Sequence, residues 1–409
     1  MHIVKPLIVA GAVAATAGIA IAVAGQGALK PSVPPPSDPA TRRVAAATAS
    51  FGLSLTQDVA ANKSSGNVFL SPFSISQALS LALNGAAGNT QVQIRRTLLL
   101  GDMSLSDVNK ANGELLPSLV NPDPKVSLSI ANALWANRGV TLNPGFVKRC
   151  HTYYQAKSAT LDFDKPSGAK TINDWVARNT HGKIPAIVTA EAIRSQPAVL
   201  TNAIYFHGRW SHAFERSNTA DSDFTLQNGT KRKLPLMHRT GPYSYLATDR
   251  FQAVRIPYGQ GRFAMYVFLP KSVNGLNAFV KSARPLAWNS WIAKMRPTEV
   301  ALSLPRFKAS QSILLNDPLK RLGMPAAFSD RADFSPMGLR GAYIGAVIHK
   351  ATLEVDEQGT VAAAATGIVM TSAAVALPTE IRIDHPFFCA IRDDATGALL
   401  FTGAVRNPE

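Results

Sequence analysis

From Gln358 to Thr379 the chain runs for 22 residues without a charge, beginning directly after the acidic segment "LEVDE". That length would suit a membrane helix, but Thr360, Gly367, Thr371, Ser372 and Pro378 interrupt the tract and dilute its hydrophobicity. Its first half, "GTVAAAAT" from Gly359, places four alanines in a row at Ala362 to Ala365. The fold must accommodate a long uncharged tract of small residues near its C-terminal end, and the rest of the chain shows how.

With 409 residues, 46% of them hydrophobic and 17% charged, the chain can bury a large core as one big domain or two ordinary ones, which excludes disorder. A net charge of +16 biases it toward acidic partners. The densest basic run, Lys231-Arg232-Lys233, follows the turn signal Asn228-Gly229 and reads as a solvated hairpin tip. No nucleic-acid motif accompanies it, so no nucleic-acid partner is expected. Lys5, the apolar stretch Leu7 to Val23 and the small residues Ala22-Val23-Ala24 fit an export signal over residues 1–24, with an uncleaved anchor as the alternative. Residues 25–40 form a proline-rich linker, "KPSVPPPSDP" among them, and the folded domain is expected over 41–409.

Cys150 and Cys389 stand far apart among apolar residues and read as buried thiols. No C-x-x-C, H-E-x-x-H or calcium-loop pattern occurs, so neither metal nor cofactor is expected. There is also no G-x-S-x-G elbow, phosphate loop or catalytic-cysteine context, which argues against an enzyme. Asn62-Lys63-Ser64 and Asn228-Gly229-Thr230 are glycosylation sequons.

Helices come first and strands later. Phe51, Leu53, Leu55 and Val59 recur at near-helical spacing within 41–60, and Ser71-Pro72 opens "FSISQALSLALNGA", whose Gly85 suits a helix end. A polar helix follows over Asn89 to Leu100, and "GAKTINDWVARNTHGKI" reads as an amphipathic helix ending at Gly182. "KVSLSIANALWA", "VLTNAIYFHGRW", "FQAVRIPYG", "FAMYVFLP", "EVALSLPRF" and "AVIHKATLEV" alternate as strands, and the end of the chain forms a hairpin around Asp394 to Gly397. The class is α+β with large, mainly antiparallel sheets.

"NVFLSPFSISQALSLALNGAAGNT" from Asn67, "LTNAIYFHGRWSHAF" from Leu200, "HKATLEVDEQGTVAAAAT" from His349 and "LLFTGAVRNP" from Leu399 together resemble the serpins, in the same order and over residues 41–409. The resemblance implies three β-sheets, about eight or nine helices and an exposed reactive loop between the acidic strand and the C-terminal hairpin. It also implies an exported, bacterial, monomeric inhibitor of the suicide type: a serine protease cuts the loop, forms an acyl-enzyme, and is carried across the molecule as the freed loop becomes a new strand. A strand that enters a closed sheet must be small and uncharged, which is what the tract supplies. By period two Thr360, Ala362, Ala364, Thr366, Ile368 and Met370 share one face, which the resemblance implies is the inward one.

The resemblance assigns a hinge to Glu357, Gly359, Thr360, Val361, Ala362, Ala363, Ala364 and Ala365, with Val361 where inhibitors often carry an acid. Counting from Glu357 places the reactive bond at Ala373-Ala374, and counting from Pro386 moves it to Val375. A small aliphatic residue at that point fits elastase-like or subtilisin-like proteases. Ser71, Ser74, Asn202 and His349 match the polar cluster, or shutter, that controls opening of the sheet. Trp210 and Arg306 match the breach where insertion begins, and Arg306 is expected to pair with Glu357. Only Lys110 is basic between Met103 and Pro122, where heparin-binding serpins gather cations, so polyanion binding is possible from the charge but not expected as a cofactor. The competing reading is a non-inhibitory serpin acting as carrier, chaperone or substrate.

Overall fold

The described chain opens at Asp38, whose carboxylate accepts the Thr41 N–H at 2.8 Å and so caps the helix Pro39–Ala61. In the computed structural model residues 38–63, 66–120, 122–359 and 377–408 are described. The signal and linker up to residue 37, hinge residues Thr360, Val361, Ala362, Ala363, Ala364 and Ala365, and the bond Ala373-Ala374 lie outside them. No helix among the described residues is long and apolar enough to cross a membrane.

Ten α-helices occur among the described residues, against eight or nine expected, the smallest being the four-residue Ala190–Ile193. Pro72–Gly85 is the central one: Ser71 caps it, Pro72 takes the first turn where its missing N–H costs nothing, and every residue in it is buried. Gly85 is needed there because a Cβ would lie 2.6 Å from Met337 Cβ. The amphipathic helix expected to reach Gly182 stops at Asn179. Thr180 Oγ1 turns back onto the Val176 carbonyl at 2.9 Å, and Gly182, at φ +75°, donates to the Ala177 carbonyl as the closing residue of the cap.

The strands in chain order are β1 (Val68–Leu70), β2 (Val126–Asn137), β3 (Lys157–Leu161), β4 (Ala198–Gly208), β5 (Thr219–Thr225), β6 (Lys231–Ala247) and β7 (Phe251–Tyr258). They continue with β8 (Phe263–Pro270), β9 (Arg296–Pro305), β10 (Phe307–Leu314), β11 (Ala346–Val355), β12 (Thr379–Arg382), β13 (Phe387–Asp393) and β14 (Leu399–Val405). One sheet has five strands in the order β10-β11-β4-β2-β3. The other strands form a continuous path, β1-β14-β13-β8-β7-β6-β9-β12, with β5 also on β6. Strand β6 joins two layers: its first part pairs β5 and β9, and only its last residues, Ser244 to Ala247, pair β7. Counted by layer, the three expected sheets are present, two of them sharing this strand.

Helix Pro72–Gly85 packs between the inner face of the five-stranded sheet and β14. On the opposite face of that sheet, Trp135, Ile172, Val176 and Val199 form a smaller apolar cluster under helix Pro166–Asn179. Both cysteines are buried and free. The Lys231-Arg232-Lys233 run starts β6 beyond the Asn228-Gly229 turn, and Lys233 there pairs with Asp223 at 2.8 Å on the exposed surface.

Candidate functional site: the β4–β11 seam

The middle of the five-stranded sheet is a parallel pair, β4 beside β11, from Val199↔Ala346 to Tyr205↔Thr352. Every other pair in that sheet is antiparallel except β2 with β3 at its edge. Under the seam lies a buried polar cluster: Ser71, Ser74, Asn202 and His349 are all fully buried. His349 stands directly opposite Asn202 across the seam, and Asn202 directly opposite Asn132 on β2.

The hydrogen bonds fix the protonation state of the imidazole. The Ser71 N–H can only donate, and it points at His349 Nε2 at 3.1 Å, so Nε2 is the acceptor and the proton sits on Nδ1. Nδ1–H then donates to Asn202 Oδ1. Asn202 Nδ2 uses its two hydrogens on Ser74, through the carbonyl at 2.8 Å and the hydroxyl, and on Asn132 Oδ1. Burial holds the imidazole pKa down at about 3, so the ring is neutral at ordinary pH.

At the upper end the ladder stops at Thr352 and Tyr205, although the strands run on to Val355 and Gly208. The chain then reverses. Asp356 and Gly359 exchange both backbone hydrogen bonds, at 3.0 and 3.2 Å, across a turn made by Glu357 and Gln358. Gly359 also bridges Arg209 in the antiparallel sense, so this one residue is already flanked by the ends of both seam strands. Its φ of +119° and the space demand glycine: a Cβ would sit 2.5 Å from Trp210 N and 2.6 Å from Arg209 Cα.

The turn is held from below and from the side. The Trp210 and Phe214 N–H groups donate to the carbonyls of Gln358 and Glu357 at 3.0 and 2.7 Å, and Trp210 Nε1 reaches the Asp356 carbonyl at 2.9 Å. The indole is fixed by stacking on Tyr258, with ring centroids 4.3 Å apart. The Glu357 side chain is 1% exposed; it accepts from Arg306 Nη2 and, at 2.9 Å, from Thr219 Oγ1. Burial pushes its pKa up, but the hydrogen bonds from Arg306, its own backbone and Thr219, with the Arg306 charge, outweigh that and hold the carboxyl below its ordinary value.

The structure thus brings Ser71, Ser74, Asn202 and His349 into one cluster and Trp210, Arg306, Glu357 and Gly359 into another. Sequence reading missed Asn132, Thr219 and Tyr258. Asn132 carried a signal, an amide inside the apolar strand "SIANALW", at a position that turns out 3% exposed. The described part of the site holds acceptors and donors for backbone and for one another, and no nucleophile set beside a base. Groups of three or more potential metal ligands are absent among the described residues.

The family model for serpins, described as serine protease inhibitors, matches residues 46–408. Mouse leukocyte elastase inhibitor A is 33% identical over 379 residues, covering 90% of this chain and 100% of its own. A serpin-like protein of Thermococcus kodakarensis is 36% identical over 88% of this chain and 84% of its own. Human thyroxine-binding globulin superposes with a TM-score of 0.82 at 28% identity, over 90% of this chain and 99% of its own. The chain belongs to the serpin family, described as one of serine protease inhibitors rather than of enzymes.

Proposed function

We propose that this protein is a suicide inhibitor of elastase-like or subtilisin-like serine proteases, with Ala373-Ala374 as the reactive bond. The observation that carries the reading is the parallel seam with the chain already turned back at its upper end. A segment continuing beyond Gly359 in that direction runs antiparallel to both β4 and β11. Insertion exchanges one parallel ladder for two antiparallel ones, which are slightly more stable per residue, and satisfies backbone groups on both sides. The sequence of the tract supports this, since no charge from Gln358 to Thr379 has to enter the sheet.

In this reading the target's serine attacks the Ala373 carbonyl, the Ala373–Ala374 bond breaks, and the amine of Ala374 leaves with the proton taken by the protease's own base. The freed segment then adds to the seam, starting at Gly359, before water hydrolyses the ester. Trp210, Arg306 and Glu357 form the breach at the start of that path, and Ser71, Ser74, Asn202 and His349 the shutter lower down. Opening requires the His349–Asn202 bond to break, because the new strand lies between them. The native state is then stable in rate rather than in equilibrium. We place the inhibitor, a monomer with domain 41–409, outside the cell behind an export signal.

The test is incubation of the protein with pancreatic or neutrophil-type elastase, followed by a denaturing gel and mass analysis of the released peptide. A band at the summed mass, with a peptide beginning at Ala374, is the expected result. Clean cleavage with full protease activity retained, for elastase and for subtilisin, would sink the proposal. That outcome would favour the carrier reading, which the likeness to thyroxine-binding globulin supports.

A further inference from the structure

Two arginines are buried among the described residues, and they are treated differently. Arg262 is paired with buried Asp393 through two bonds, Nε to Oδ1 at 2.7 Å and Nη2 to Oδ2 at 3.1 Å. Arg406, 5% exposed, has only neutral acceptors: Nη1 donates to the Gly66 carbonyl at 2.8 Å and Nη2 to Asn277 Oδ1 at 2.9 Å. Its Nε is buried and meets no acceptor among the described residues. A buried guanidinium is expensive without a counter-charge, and burial accordingly lowers the pKa of this one.

A second cation stands beside it. Lys63 donates to the Asn67 carbonyl at 2.8 Å, and first burial, then the charge of Arg406, lowers its pKa. Lys63 and Asn277 are walls of a cavity of about 160 Å³, completed by Gln57, Ala60, Ala61, Val280 and a third cation, Lys281. No acidic residue lines it among the described residues. The acid just before it in sequence, Asp58, is committed to Arg321 at 2.7 and 2.9 Å. Because Arg406 holds Asn277 by its oxygen, the Asn277 amide turns its donor away from Arg406.

We propose that this cavity binds a tetrahedral oxyanion, a phosphate or sulfate group, contacted by Lys63, Lys281 and Asn277 with Arg406 behind them as the buried counter-charge. Ammonium groups suit a phosphate as point charges, and a semi-enclosed, acid-free cavity concentrates their field. Occupancy would tighten the clasp in which Asn67 Oδ1 accepts from the Arg406 and Asn407 N–H groups, and so anchor the start of β1, which leads directly to Ser71.

The experiment is titration of the full chain with inorganic phosphate, followed by 31P line broadening and by thermal shift at matched ionic strength. Saturable binding with a Kd of about 1 mM or tighter is expected. Lys281→Met, at an exposed position that the fold does not need, should weaken it at least several-fold, and Arg406→Met should abolish it. A sulfated monosaccharide that competes with phosphate assigns the site to a polysaccharide ester, and phosphate binding without such competition assigns it to the free anion; both support the proposal. It is overturned if neither ligand saturates, if Lys281→Met binds like the parent, or if phosphate binds only once Glu409 is removed. The last result would mean that the chain's own terminal acid fills the site.

Discussion

The lower and upper ends of the β4–β11 seam are held shut by different physics. At the lower end every group is neutral and buried: Ser71, His349, Asn202, Ser74 and Asn132 form one chain of hydrogen bonds across three strands and a helix cap, and of their amide groups Asn132 Nδ2 alone meets no acceptor among the described residues. At the upper end the side-chain lock is a charge pair whose arginine is 46% exposed, and the backbone lock is a single tight turn. A buried neutral network loses the full desolvation energy of each group that is orphaned, whereas an ion pair whose arginine is half open to solvent is screened from that side. The seam is therefore stiff at its lower end and compliant at its upper end, which suits the proposed entry of a strand from above.

The largest effect should follow from removing the centre of the shutter. Asn202→Ala orphans His349 Nδ1–H and takes the amide partner from Ser74 and Asn132, a loss of ~3 kcal/mol from unmet buried groups. At ~1.4 kcal/mol per decade, the uninserted form should disappear roughly 100-fold faster at fixed temperature. A rate within twofold of the parent would mean that the shutter does not hold the seam.

Next comes the turn. Gly359→Ala forces a Cβ against the Gly208 carbonyl and Trp210 N in a left-handed backbone, with ~2 kcal/mol of strain as the expected local cost. Hydrogen exchange at the Trp210 and Phe214 amides, which the turn protects, should accelerate about 30-fold while the Ser71 amide is unchanged. Equal acceleration at both would show that the two ends open together and would collapse the contrast between them.

Acid should act on the lower end first. His349 stays neutral in the fold down to about 3, while in the unfolded chain it takes up a proton near pH 6.5. Between those values the unfolded state binds more protons, so stability is full above pH 6.5 and falls on acidification, by at most ~1.4 kcal/mol per unit from this residue. His212, also held below its ordinary value by burial and then by Arg239 and Lys125, acts in the same direction. His385, raised by the Asp384 and Pro270 hydrogen bonds against the effect of burial, opposes it. Above pH 5 the carboxylates Glu354 and Glu357, whose pKa values are lowered, stay ionised in the fold. Loss of the uninserted form between pH 6.5 and 5 should accelerate by about an order of magnitude. No acceleration, or an NMR signal of charged His349 at pH 5, would contradict the neutral ring.

The same contrast explains what the sequence revealed. The clustering of Ser71, Ser74, Asn202 and His349 was legible because they sit in long, strongly patterned segments whose order survives as motifs: a Ser-Pro helix start, and two strands with a polar residue among apolar ones. The cluster around Glu357 was legible only in part. Glu357 and Arg306 could be paired by resemblance, but Thr219 and Tyr258 reach the turn through strand registers that no local pattern encodes, β5 on β6 and Trp210 bridged to Tyr258. Asn132 was hidden for a related reason: an amide in a strand can face solvent or core, and only its register against Asn202 decides which. The helix expected to end at Gly182 stopped at Asn179 because Thr180 closes the last turn with its own hydroxyl, a local competition that periodicity does not register.

The smallest effect should come from the ion pair. Arg306→Met removes a partly solvated partner, so the uninserted form should lose ~1 kcal/mol or less at pH 7, a rate change of at most about fivefold, and less in high salt. Glu357 keeps the Thr219 hydroxyl but remains 1% exposed without a counter-charge, so burial then dominates and its carboxyl pKa rises. The variant should therefore acquire an acid sensitivity at the upper end that begins at higher pH than in the parent, read as faster exchange at the Phe214 amide, which donates to the Glu357 carbonyl. If instead Arg306→Met alone speeds loss of the uninserted form as much as Asn202→Ala does, the charge pair and not the neutral network is what keeps the seam closed. The order of the two ends would then be reversed, and in the proposed mechanism the cleaved loop would meet its main resistance at the first residue it inserts.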